Sequence, residues 1–219
     1  MPFSLHGNQG DPADPGRVHV VDEDDGLRGT LRRLLAGHGY HVRVHASAED
    51  FLQAHDPHAL GCILLEVSLP GLDGLALQRR LAGTGITLPF VFLTARAEVA
   101  CCAAAMREGA VDFLTKPVDE EALLRAVRLA LLRSIDRRCA LQRQSILQER
   151  LALLTPREHE VLLYVMNGRL NRQAAVDLGT SEKTIKVHRM RALEKLGVRS
   201  VAEAVRMFEL ARPRTSPSD

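Results

Sequence analysis

Cys62-Ile63-Leu64-Leu65-Glu66 is a short apolar run that ends in a carboxylate, and its reading decides the fold. Upstream, Val18-His19-Val20-Val21 has the same strand-like pattern and runs into Asp22-Glu23-Asp24-Asp25. Downstream, Phe90-Val91-Phe92-Leu93 ends in Thr94, and Phe113-Leu114-Thr115 ends in Lys116-Pro117. Four strand ends thus carry acid, carboxylate, hydroxyl and ammonium. In an open parallel sheet, ligands gather outside the carboxyl ends of the strands, so these groups are expected to share one crevice.

Helix-length segments separate the runs: 27–36 before Gly37, 47–55, 74–81, 99–108 before Gly109, and 120 onward. Alternation of this kind predicts repeated βαβ units, a parallel sheet covered on both faces. His41 and His45 alternate with Val42 and Val44, which places them on a wet strand face with Arg43.

These strand ends resemble a response-regulator receiver domain. In that family the acids after the first strand hold Mg²⁺, an Asp after the third is phosphorylated, a Thr or Ser follows the fourth, and a Lys precedes Pro after the fifth. Asp22, Glu23, Glu66, Thr94 and Lys116 match those places, with Phe113 beside the switch threonine and lysine, and Pro70-Gly71 and Asp73-Gly74 match the loop beyond the phosphoacceptor. The chain departs twice: Glu replaces Asp at 66, and Glu23 stands where the usual metal ligand is Asp. The implied fold is a doubly wound α/β receiver with a five-stranded parallel, flavodoxin-like sheet.

With 219 residues, 46% of them hydrophobic, the chain has material for two ordinary domains. Charge divides the same way: residues 1–133 hold 13 basic and 17 acidic side chains, a net −4, and residues 134–219 hold 16 and 10, a net +6. An acidic half that suits cations or signals is joined to a basic half that suits an anionic polymer. No stretch approaches about 18 apolar residues and no signal-peptide pattern opens the chain, so a cytoplasmic protein without a membrane span is expected. The four cysteines, Cys62, Cys101, Cys102 and Cys139, lack CxxC spacing and read as reduced, mostly packed thiols.

Residues 1–16, with three prolines and three glycines, read as a flexible leader, and 17–133 as the receiver. From 119 to about 154 there is no Pro or Gly, while Leu124, Val127, Leu131, Ile135 and Leu141 recur at near-helical spacing. One long helix is predicted, whose part at 134–150 serves as linker, either a solvated connector or a dimer seam.

Residues 151–212 form the second domain, with 213–219 a flexible tail. Thr155-Pro156-Arg157-Glu158 is a strong helix start: Thr caps, Pro takes the first helical position, and Glu closes a capping box. Helices are expected to Met166 before Gly168, over 172–178 before Gly179, over 182–196 behind the cap Ser181, and over 201–210. Two short helices joined by Gly179-Thr180-Ser181 form a helix-turn-helix, about 169–190. Leu154-Thr155-Pro156-Arg157-Glu158 and Ser181-Glu182-Lys183-Thr184-Ile185-Lys186-Val187-His188 resemble the LuxR-type DNA-binding domain of NarL/FixJ-class regulators.

On the third helix, Ile185, Ala192, Leu193 and Leu196 can pack inward, leaving Lys186, Val187, Met190 and Arg191 outside. Apolar side chains can touch thymine methyls while Lys and Arg reach guanine or phosphate. Lys183, Thr184 and His188 are placed for phosphate or packing. Double-stranded DNA, as a promoter inverted repeat bound by a homodimer, is the implied partner.

The resemblance implies a transcription regulator, not an enzyme, with a sensor histidine kinase as a further partner if the receiver works conventionally. Glu66 is one methylene longer than Asp, and displacement by about an ångström can cost about a hundredfold in rate. A receiver that is not a normal phosphoacceptor is therefore expected. Glu66 either imitates the phosphorylated state toward Lys116 and Thr94 or makes a fixed ion pair on a scaffold. The acids at 22–25 are hard oxygen ligands, so the loop is either a weak Mg²⁺ site or metal-free. The alternatives are a conventional or phosphorelay receiver, and a protein-interaction adaptor that no longer uses DNA.

Overall fold

The computed structural model describes residues 16–56, 59–84, 88–95 and 99–211, the side chains of 99–101 and 211 excepted. The expected flexible leader, apart from Gly16, and the expected tail lie outside the described residues. Two compact units meet within one helix, at Arg138 and Cys139.

In the first unit, strands β1 (Arg17–Val21), β2 (His41–His45), β3 (Gly61–Glu66), β4 (Phe90–Thr94) and β5 (Asp112–Thr115) form one sheet in the order β2-β1-β3-β4-β5. Every pairing is parallel, with Val21 opposite Leu65, Glu66 opposite Leu93, and Thr94 opposite Thr115. Because β1 lies between β2 and β3, the winding direction reverses there, and the strand ends carrying Asp22 and Glu66 flank the crevice. The doubly wound α/β expectation is met.

Helices α1 (Asp25–Gly37), α2 (Ala48–Ala54), α3 (Gly74–Gly83), α4 (Val99–Arg107) and α5 (Glu120–Ala152) cover the sheet. Leu31 and Leu35 of α1, with Leu123 and Val127 of α5, pack on Val18, Val20, Leu64 and Val91. Phe51 of α2, Leu77 and Leu81 of α3 and Ala105 of α4 pack on Ile63, Leu65, Phe90 and Phe92. Each fully buried Leu or Phe contributes about 1.5–3 kcal/mol, so β3, buried along its whole length, is the anchor of the crevice. Gly74 lets α3 begin directly below that strand end, since a Cβ there would lie 2.5 Å from the Glu66 carbonyl oxygen.

The wet face expected for His45 is corrected. It is buried at the end of β2, with Nε2 3.0 Å from Nδ1 of His19 and its ring edge-on to Phe51. Phe51 of α2 covers that end of the face, which leaves His41 and Arg43 exposed and takes His45 into the core.

Helix α5 is the predicted continuous helix. In the first unit it reaches Ser134, whose hydroxyl accepts the Gly61 N–H at 3.2 Å. The second unit adds α6 (Pro156–Met166), α7 (Asn171–Asp177), α8 (Glu182–Leu196) and α9 (Val201–Ala211). Leu147 of α5 packs with Leu162, Ala192, Leu196 and Ala204 in its core. Helix α7 starts one residue earlier than its periodicity predicts, because Gln173 Oε1 accepts the Leu170 N–H at 3.0 Å and draws Asn171 into the first turn. Among the described residues, no helix is long and apolar enough to cross a membrane.

Candidate functional site

The crevice forms where β1, β3, β4 and β5 end. Asp22, Glu66 and Thr94 are all buried there. Lys116 Nζ lies 2.5 Å from Asp22 Oδ2 and 2.5 Å from Glu66 Oε2, so one ammonium spans two carboxylates. Their other oxygens take backbone donors: the Asp24 N–H reaches Asp22 Oδ1 at 2.9 Å, and the Ser68 N–H reaches Glu66 Oε1 at 3.1 Å. Burial works against the Lys116 charge, but the hydrogen bonds and attraction from Asp22 and Glu66 outweigh it and raise its pKa. Phe113 is half-buried, its ring centroid 6.1 Å from that of Phe92.

The acidic run divides its labour. The Asp22 carboxylate closes a turn on the Asp24 N–H, which leaves Glu23 exposed on the outside of the bend. Asp24 caps α1 by accepting the Leu27 N–H at 3.1 Å. Asp25 pairs at 2.9 Å with Arg28, whose other guanidinium nitrogen donates to the Asp22 carbonyl at 2.6 Å. Arg28 is a member of the site that sequence reasoning missed; the signal was a basic residue one turn inside a helix that opens on acids. Asp22, Glu23 and Glu66 are the hard oxygen donors Mg²⁺ prefers. Among the described residues, however, no three His, Cys, Asp or Glu side chains come together as metal ligands. The donors in this arrangement do not fit the ion as they stand: Asp22 and Glu66 are held by Lys116, and Glu23 is exposed on the outside of the bend.

In the second unit, Thr155 and Glu158 form the predicted capping box. Glu158, buried, also lies 2.6 Å from Lys195 Nζ; this hydrogen bond, with that from the Thr155 backbone, lowers its pKa to about 2. The pair joins α6 to α8. Ile185, Ala192 and Leu196 of α8 are buried. Lys183, Lys186, Met190 and Arg191 are exposed, Met190 at 61%, while Thr184, Val187 and His188 are half-buried. Lys186 lies 3.2 Å from Glu182 one turn back, and Arg189 holds α8 to α7 through Asn171 Oδ1 at 3.3 Å. An exposed methionine among exposed cations suits a surface that meets both base edges and phosphates.

Two family models match: the response regulator receiver domain over residues 18–128, and the luxR family of bacterial regulatory proteins over residues 152–208. The chain is a response regulator with a LuxR-type DNA-binding domain. It is 39% identical over 194 residues to the transcriptional regulatory protein FixJ of Azorhizobium caulinodans, covering 89% of the regulator and 92% of that protein. Against the response regulator protein TodT of Pseudomonas putida the identity is 37% over 192 residues, covering 88% and 85%. Among solved structures, the response regulator StyR matches with a TM-score of 0.77 and 39% identity over 88% of the regulator and 98% of that chain. Full-length FixJ from B. japonicum matches with a TM-score of 0.54 and 30% identity over 90% and 97%. The regulator's relatives are thus named as regulators of transcription or response.

Proposed function

We propose that this regulator binds double-stranded DNA as a homodimer on an inverted repeat, through a receiver in which Glu66 is a fixed anion and not an ordinary phosphoacceptor. The observation that carries the reading is the 2.5 Å contact between Glu66 Oε2 and Lys116 Nζ. The longer side chain already places its charge on the lysine that would otherwise meet a phosphoryl group. Attack on a phosphodonor demands positioning above all, and an ångström of displacement costs about a hundredfold. One carboxylate supplies a single negative charge where phosphate brings about −1.5 to −2, so the imitation of a phosphorylated receiver is partial.

On the DNA, Lys186, Val187, Met190 and Arg191 face the major groove, and Lys183, Thr184 and His188 face the phosphates. A sensor histidine kinase is a partner only in the conventional reading, where acyl phosphate forms at Glu66. Titration of promoter DNA with the full chain, Glu66→Asp and Glu66→Ala, each with and without acetyl phosphate, separates the readings. The native affinity is expected to ignore the donor, Glu66→Asp to become donor-dependent, and Glu66→Ala to bind more weakly. A donor-driven gain of about tenfold in the native protein would overturn the proposal. Equal affinity of all three would make the receiver a scaffold, and no binding to any fragment would favour an adaptor.

A further inference from the structure

We propose that the acidic crevice is closed by the protein's own cations, Lys116 and Arg28, and takes no divalent metal ion. The inference rests on the reading of Glu66 as a fixed anion. Both oxygens of Asp22 and both oxygens of Glu66 already hold a donor: Lys116 on one side of each, and the Asp24 or Ser68 N–H on the other. The Asp22 carbonyl, a further hard oxygen at the same place, is taken by Arg28 at 2.6 Å. Arg28 is held there by Asp25, and its side chain is only 12% exposed.

Charge leads to the same conclusion. Asp22 and Glu66 bring two negative charges, and Lys116 and Arg28 return two positive ones. Asp25 adds a third negative charge, but its side chain is 96% exposed and is screened by water. The buried charges of the crevice therefore cancel, and the acids that remain, Glu23, Asp24 and Asp25, lie exposed to screening by water. Mg²⁺ also needs near-octahedral oxygen at about 2.0–2.1 Å, so it has to compete for carboxylate oxygens that each already hold a donor. Glu23 and Asp24, the other acids of the loop, are both exposed, and Asp24 is taken up in capping α1 through the Leu27 N–H. The Glu66 carboxylate reaches Lys116, which thereby bridges two acids at once.

Thermal unfolding and titration calorimetry of the full chain test this with MgCl₂ against NaCl at matched ionic strength. A site half-filled at about 1 mM would raise the unfolding midpoint by about 4 °C at about 10 mM Mg²⁺. The native protein is expected to show no midpoint shift and no saturable heat. Lys116→Met frees both carboxylates and is expected to gain a saturable Mg²⁺ response. Should that variant fail to fold, Lys116→Gln keeps a hydrogen-bonding end without charge and is expected to gain the same response. Saturable Mg²⁺ binding by the native protein would overturn the inference, and so would lysine variants that fold and stay indifferent to Mg²⁺. Phosphoryl incorporation at Glu66 would instead overturn the reading of the phosphoacceptor position, and is measured separately.

Discussion

The two units each bury a lysine–glutamate contact, and the contacts differ in what surrounds them. In the second unit, Lys195 meets Glu158 at 2.6 Å, and Glu158 also accepts the Thr155 N–H at 2.9 Å. One cation meets one anion, and the local charge is balanced. In the first unit, Lys116 meets both Asp22 and Glu66. One cation serves two buried anions, so the crevice depends on a neighbouring guanidinium for its balance. A closed pair is a brace; a shared cation leaves two buried anions dependent on one ammonium.

Lys116→Met is the harshest test of that contrast. It strands two buried carboxylates, and we expect a loss of about 3 kcal/mol in receiver stability, measured by denaturant unfolding. A loss below about 1 kcal/mol would mean that the shared cation is replaceable by water. Acid separates the units next. Burial, with His45 and nearby cations, lowers the His19 pKa to about 3, so the native state refuses a proton that the unfolded chain accepts below 6.5. Its contribution is complete above pH 6.5 and is lost as pH falls through 3. Between pH 6.5 and 4.5 the receiver should lose about 2 kcal/mol, and His19→Leu should flatten that slope. Glu158 behaves differently: its stabilisation is present above pH 4.5 and is lost as pH falls through 2. Calorimetry down to pH 4.5 should therefore lower the receiver transition first.

Glu158→Ala removes both a cap and an ion pair. The expected loss is about 2 kcal/mol, read from the unfolding midpoint of the second unit, less than for a fully buried pair because the Lys195 side chain is 34% exposed. Lys186→Ala has the smallest expected effect. DNA affinity should fall by about 1 kcal/mol and the salt slope by about 1, whereas an unchanged slope would remove this helix from the DNA.

The parallel sheet was legible in the sequence because its inner strands β3 and β4 are buried on both faces and read as apolar runs, as in Cys62-Ile63-Leu64-Leu65. The helix-turn-helix was legible for a different reason: its boundaries are written in local chemistry, Thr155 with Glu158, Ser181, and Gly197 with φ +68°. What periodicity could not give was the environment of single polar groups. His45 alternates like a surface residue, and only Phe51, brought over it by α2, buries it. Arg28 lies six residues beyond Asp22, and its bond to the Asp22 carbonyl depends on how the chain turns there. Likewise, of the described cysteine side chains Cys62 is buried, with its thiol pushed up by burial to about 12, Cys102 is half-buried and Cys139 is exposed.

The central claim is that the phosphoacceptor position has become a fixed charge. Incubation of the full chain and of Glu66→Asp with a radiolabelled acyl phosphate, followed by mass-spectrometric mapping, tests it most directly. The account predicts label on the Glu66→Asp protein at position 66 and none at that position in the native chain. Efficient labelling of Glu66 itself, at a rate within a few-fold of the aspartate variant, would contradict it.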